Sequence, residues 1–377
     1  MTPRAHLYVL LAPWVALIAL GASFERPEFR PYELLVGRTH FRPSTSVEMD
    51  AYGALAYRLH APEMRQWVHN TFTTDSAGLR NPPFSKPPRI VVVGDSFAVG
   101  VGSSDDQTIP ALMTKRLGEP VYNYGTRRDA AQLFLADPVF ARLPPRVVIY
   151  AMSARTIQPL PRPRRAGDPA PPPPPPPAPV ARTSTFLDDA LRPWRRLGAP
   201  IPRWLTVAAR DNGLKKRSQR LYYAAERAVF GFPQRIEVDG GPALILTPEE
   251  QYLDQTPQQR KLAEVVETWK AYAEANALRG TQVVFAPLPE TGDLYLDAFP
   301  ETIKTNVVDT SFLDAVFEGL NAAGLKTYDV RPQLRAHRTP YLFLRDDTHY
   351  APHTNARVAE AFTQVVRPLL APTETPP

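Results

Sequence analysis

The sequence predicts an α/β protein with a mostly parallel sheet carrying helices on both faces. Three observations predict it. Short apolar runs rich in β-branched residues recur along the chain, stretches of helical period separate them, and polar motifs follow the runs directly. The composition agrees: of 377 residues, 22% are charged and 44% belong to the hydrophobic class, ordinary globular values that exclude wholesale disorder. The chain has no cysteine, which excludes a disulfide scaffold, a thiolate zinc site and a thiol nucleophile.

Taken in order, the chain opens on Leu7 to Phe24, eighteen residues without a charge, preceded by Arg4 and followed by Glu25 and Arg26. That length is near the lower limit for spanning a bilayer, and the basic flank orients the body away from the cytoplasm. Residues 1–25 are therefore expected to be a signal-anchor, or a signal peptide cut at the small residues 19–22. The body is then exported, to the periplasmic face of the inner membrane or beyond it. Residues 26–155 form the first part of the α/β domain and 248–370 the second, with a tail at 371–377.

Within the first part, Arg89–Val93 reads as a strand, Thr108–Leu117 as a helix, Pro120–Tyr124 as a short strand and Arg146–Tyr150 as a strand. In the second, Gln258–Asn276 has helical period, Thr281–Phe285 reads as a strand, Phe312–Ala323 as a helix, Leu325–Val330 as a last strand and Asn355–Leu369 as a closing helix. Between them, 156–247 is an insertion. It holds the proline-rich stretch Pro159–Pro179, including the unbroken run Pro171–Pro177, and then a basic amphipathic stretch from Trp194 to Phe232. From Arg155 to Arg220 there are fourteen basic residues against four acids, so the net charge of +6 resides in the insertion and the remainder is mildly acidic. No nucleic-acid motif accompanies this charge, and nucleic acid is not an expected partner.

In a parallel sheet the reactive groups collect where strands end. Gly94-Asp95-Ser96-Phe97 follows the first strand of the domain. A serine at such a strand-to-helix turn presents its hydroxyl and its own amide to the same space, which suits a nucleophile with an oxyanion donor. Near the other end stands Arg345-Asp346-Asp347-Thr348-His349-Tyr350. A serine hydroxyl needs a base that is neutral near neutral pH, and the imidazole needs a carboxylate to fix its tautomer. Asp347 and Asp346, two and three residues before His349, both offer one. No histidine has metal-ligand spacing and no glycine pattern spells a nucleotide loop, so neither a metal nor a cofactor is expected.

These residues resemble the SGNH (GDSL-like) hydrolase superfamily. The likeness is carried by VVVGDSFAVGVGSSDDQTIPALMTKRL, the lead-in NTFTTDSAGLRNP at 70–82, VYNYG ending on Gly125, and RDDTHY. The last block and residues 283–300 are most similar to the alginate O-acetylation proteins of the AlgJ/AlgX kind. The resemblance implies a flavodoxin-like three-layer sandwich, a Ser96–His349–Asp triad, and an oxyanion hole formed by the amides of Ser96 and Gly125. The third block, which in that superfamily carries an asparagine, aligns on Ser153, with Arg155 as a possible cationic substitute. By superfamily spacing the acid is Asp346; by that of the acetylation group it is Asp347, the preferred choice. Asp95 and Tyr350 flank the nucleophile and the base and are candidate substrate contacts.

The expected activity is that of an exported, membrane-anchored serine esterase or O-acyltransferase acting on O-acetyl groups of a secreted or cell-surface polysaccharide. The resemblance further implies a membrane protein that donates the acyl group. Two other readings stand beside this one: a lipid-directed esterase with Trp194–Phe232 as a lid, and a non-catalytic glycan-binding or scaffold protein of a polysaccharide export system.

Overall fold

A computed structural model describes residues 30–163 and 234–371, apart from 38–39, 60, 85–86 and 127–128. The expectations for the apolar span, the proline run and the basic amphipathic stretch lie outside the described residues. Among the described residues no helix is long and apolar enough to cross a membrane.

The sheet that positions the site has four parallel strands. Before it in the chain comes an antiparallel pair, β1 (Ser46–Ala51) and β2 (Val68–Thr73). The parallel strands are β3 (Ile90–Gly94), β4 (Val121–Gly125), β5 (Val147–Ala151) and, after an antiparallel hairpin of β6 (Arg235–Val238) and β7 (Gly241–Leu244), β8 (Gln282–Phe285). Their order across the sheet is β4-β3-β5-β8. The chain leaves β3 to one side for β4 and to the other for β5, so the crevice of this open sheet lies at the carboxyl end of β3. The register aligns Gly94 with both Gly125 and Ala151.

Each central strand is buried on both faces, which is why it reads as an unbroken apolar run rather than an alternation. On one face Val91, Val93, Val148 and Tyr150 meet Phe134, Trp269, Tyr272 and Val316. On the other, Ile90, Val92, Val147 and Ile149 meet Ile109, Met113, Val358 and Phe362. Four helices supply most of this cover: α1 (Ile109–Leu117), α2 (Leu262–Ala277), α3 (Phe312–Ala322) and α4 (Pro352–Leu370). Thr108 caps α1 by accepting from the Ala111 amide at 3.3 Å.

Sequence and structure differ in three places. The strand expected at Leu325–Val330 is one parallel bridge, Thr327 with Phe285. Just beyond it the Asp329 carboxylate accepts from the Arg331 amide at 2.9 Å and turns the chain into the helical turn Arg331–Arg335. The β6–β7 hairpin lies in the segment that composition assigns to the insertion, yet Ile236 and Ala243 belong to the main core. The pair β1–β2 gave no strand signal.

The 70–82 lead-in has a structural task. The buried Arg80 guanidinium donates to Gly100 O, Thr71 O and Ser103 O, each at 2.7 Å, to Val99 O at 3.1 Å and to Asp105 at 2.9 Å. The carbonyls of Val99, Gly100 and Ser103 belong to the loop after Ser96 and that of Thr71 to β2, so one cation satisfies backbone that an irregular buried turn leaves unpaired and ties it to that strand. Arg80→Ala is expected to lower stability by about 3–5 kcal/mol, read as the urea midpoint of the full-length protein. An unchanged midpoint would refute this role.

Candidate active site

The turn after β3 is held by close approach. A Cβ on Gly94 would lie 2.2 Å from Ala151 O and 2.7 Å from Ala98 Cβ, so glycine is required for β3 to end against β5. Ser96 begins a single helical turn, Ser96–Val99, that closes on Gly100 at φ 78°, a left-handed cap that glycine adopts without a Cβ penalty. Asp95 caps this turn by accepting from the Phe97 amide at 3.0 Å. Among the described residues the Ser96 amide has no protein acceptor.

The second half of the site is a tight loop. Phe343 and Tyr350 form an antiparallel bridge, Leu344 N donates to His349 O at 2.9 Å, and Asp347 N donates to Leu344 O at 3.2 Å. This closure presents Asp347 and His349 on the same side. His349 Nε2 lies 2.7 Å from Ser96 Oγ, and His349 Nδ1 lies 2.6 Å from Asp347 Oδ1. With Nδ1 carrying the proton and donating it in a hydrogen bond to the Asp347 carboxylate, Nε2 is left as the acceptor facing the serine hydroxyl, the tautomer that a base requires.

The two neighbouring acids have different surroundings. Burial opposes ionisation of Asp347, but the Arg30 ion pair, His349 and the Ala54 amide outweigh it and hold the carboxyl far below the ordinary range. Asp346 Oδ2 accepts instead from the amides of Gly53 at 2.7 Å and Gln66 at 2.9 Å, while burial, partly offset by those amides, raises its pKa to about 6. Asp346 thus braces residues 53–66, and Asp347 is the acid on the imidazole.

Four further expectations need correction. The Gly125 amide is not directed to the crevice: it donates to the Asn123 side chain at 2.8 Å. Ser153 is fully buried, and its hydroxyl and amide both donate to Asp95, at 2.6 and 2.9 Å. Asp95 receives Thr156 Oγ1 at 2.6 Å as well, so its carboxylate is saturated from within and is a brace rather than a substrate contact. Tyr350 is 2% exposed, donates to Pro289 O at 2.7 Å and packs on Phe97, which makes it core. Arg155 does approach the site, donating to Thr348 Oγ1 at 3.2 Å, but its guanidinium is paired with Glu290 at 2.9 Å.

Sequence reasoning missed Glu290, Arg30 and the amides of Gly53 and Ala54. Nothing in a single sequence links Arg30 or residues 53–54 to positions near 347, some three hundred residues away. Glu290 offered a weak signal, because Glu290 and Asp293 sit at capping-box spacing ahead of a helical turn and bond reciprocally.

With the geometry in hand, comparison with known proteins gives one family. Residues 245–377 match the family described as SGNH hydrolase-like domain, acetyltransferase AlgX. The match covers Asp347 and His349 and leaves Ser96 outside it. Over that stretch the chain is similar to a family of acetyl-ester chemistry. No curated protein matches the sequence. Among solved structures, a protein described as lipolytic and of the G-D-S-L family from Desulfitobacterium hafniense DCB-2 aligns at 14% identity and a TM-score of 0.36, over 74% of this chain and 99% of that one. An inhibitor-bound aryl esterase of M. smegmatis aligns at 11% identity and a TM-score of 0.33, over 75% of this chain and 100% of that one.

Burial raises Glu290 to about 7 against the opposing charge of Arg155. Its folded-state value lies above the unfolded one, so the ionised form costs stability; the cost is absent below the unfolded value and complete above the folded one. Asp347, held low, stays ionised throughout that window. Urea midpoints of the wild type are therefore expected to rise as pH falls from about 8 to about 5, and those of Glu290→Gln to rise less, the difference amounting to roughly 2–3 kcal/mol. Parallel curves for the two proteins would contradict it.

Proposed function

We propose that the protein is a serine O-acetyltransferase or esterase that handles O-acetyl groups of a secreted or cell-surface polysaccharide. The reading takes the fold as that of the SGNH hydrolases and the N-terminal apolar span as an anchor on the extracytoplasmic face of the membrane. One observation carries it: the continuous relay from Ser96 Oγ through His349 to Asp347, at 2.7 and 2.6 Å. The acetyltransferase family match over 245–377 supports the choice of acyl group, and the resemblance of RDDTHY and residues 283–300 to the alginate O-acetylation proteins supports a polysaccharide acceptor.

In the proposed reaction the Ser96 oxygen attacks the acetyl carbonyl carbon while its proton passes to His349 Nε2. Asp347 accepts the Nδ1 hydrogen bond and stabilises the imidazolium. The carbonyl oxygen becomes an oxyanion facing the Ser96 amide. Collapse breaks the ester bond, and the departing alcohol takes the proton from His349, leaving acetyl-Ser96. A sugar hydroxyl or a water then gives its proton to His349 and attacks the acetyl carbonyl carbon; collapse breaks the acetyl–Ser96 bond, Ser96 Oγ takes the proton back from His349, and the acetyl group departs on the acceptor, which decides between transfer and hydrolysis. Arg155 can add charge at the oxyanion only by turning from Glu290.

A second reading, a non-catalytic glycan-binding member of an export system, draws on one specific observation. Two of the three expected oxyanion donors, Gly125 and Ser153, are engaged inside the protein.

The test uses the full-length protein in mild detergent with p-nitrophenyl acetate and an acetylated polysaccharide, following acetate release and protein mass. Wild type is expected to form a Ser96 acetyl adduct, which Ser96→Ala and His349→Ala abolish. Asp347→Asn is expected to lose about 10³–10⁴-fold in kcat. A folded wild type that gives neither turnover nor adduct while binding glycan would establish the second reading.

A further inference from the structure

The carboxylate at the far end of the relay is held from behind by a segment outside the parallel sheet. Asp347 Oδ1 faces His349, and Oδ2 receives the Ala54 amide at 2.8 Å and an ion pair from Arg30. Asp347 is 1% exposed and Arg30 13%, so water screens this pair poorly. The contact is built. Gly53 and Ala54 turn consecutive amides onto Asp346 and Asp347, and a Cβ at Gly53 would come within 2.0 Å of Asp346 O.

A histidine–aspartate pair works as a base because the carboxylate stabilises the imidazolium that forms when the serine gives up its proton. A guanidinium on the other oxygen of that carboxylate draws on the same negative charge and repels the new positive one. Resting on the function proposed above, we propose that Arg30 is a positioning residue of the Ser96–His349–Asp347 site. It fixes Asp347 as a carboxylate aimed at Nδ1 and weakens the imidazolium, so that His349 remains an available base at lower pH than the pair alone would allow. Among the described residues, the other charged groups near His349 are Asp346 beside Asp347, Arg155 and Glu290 beyond Thr348, and Asp95, which caps the Ser96 turn. All of them are unchanged in the test variants.

The test measures acetyl-enzyme formation against pH for full-length wild type, Arg30→Gln and Arg30→Lys. In parallel, the His349 ring proton is followed by NMR, assigned by its loss in His349→Ala. In Arg30→Gln the acid limb and the ring-proton midpoint are expected to move together to higher pH, by about one pH unit. The alkaline plateau is expected to fall only several-fold, because the Ala54 amide still holds Oδ2. Arg30→Lys, a point charge without the planar fork, should lie between. A lower plateau with an unmoved acid limb and midpoint would overturn the proposal and leave Arg30 a structural contact. If Arg30→Gln does not fold, wild type against Arg30→Lys decides by the same shift. Absence of any acetyl adduct in the wild type would count against the proposed function alone, since the ring-proton midpoints still report on Arg30.

Discussion

The arrangement of the site depends on what Asp95 does with its carboxylate. One oxygen caps the turn that begins at Ser96, and the other receives the amide and hydroxyl of Ser153 and the hydroxyl of Thr156. That single buried group joins the end of β3 to the segment after β5, across the crevice where the sheet order reverses. It fixes the direction of the serine and also explains why Ser153 faces inward. A buried carboxylate with fewer than these donors would be costly, so a hydroxyl placed to complete its set is not free to meet an oxyanion.

The central parallel strands β3 and β5 were legible because both faces of each are buried, and a short run such as Ile90–Val93 admits few other readings. Ser96 and His349 were legible for different reasons: a serine directly after a parallel strand is positioned by topology, whereas His349 follows no strand of the sheet and was marked by the two acids just before it. What escaped was whatever depends on a side chain's choice between partners. Gly125 and Ser153 sit where spacing put them, but their donors are turned by Asn123 and Asp95. Tyr350 follows the base in sequence and yet points into the core, because the loop carrying His349 closes by a bridge that sends the next residue inward. The strand expected at 325–330 met a local competitor, the Asp329 side chain, that spends the chain on a helical turn after one bridge.

Asp346 and Asp347 show how neighbours of identical chemistry diverge. Backbone amides alone serve Asp346, and burial dominates, so its ionised form is disfavoured. Asp347 adds a cation and an imidazole to such amides, and the balance reverses. Spacing cannot separate the two, because what separates them is which partners arrive from residues 30–66. The distribution suits both tasks: a carboxylate that must remain charged lies where charge is compensated, and its neighbour braces the loop.

It follows that the segment before β3 is not a mere lead to the domain. Gly53, Ala54 and Gln66 hold the two acids, Arg30 pairs with one of them, and Arg80 holds the loop after the serine. The two halves of the relay come from chain positions more than 250 residues apart, and each is held by something from the first 80. A unit cut to the strands and helices that sequence periodicity reveals would keep Ser96, Asp347 and His349 while losing most of what orients them. In this protein the boundary of the functional unit is set by hydrogen bonds to Asp346 and Asp347 rather than by the edges of the sheet.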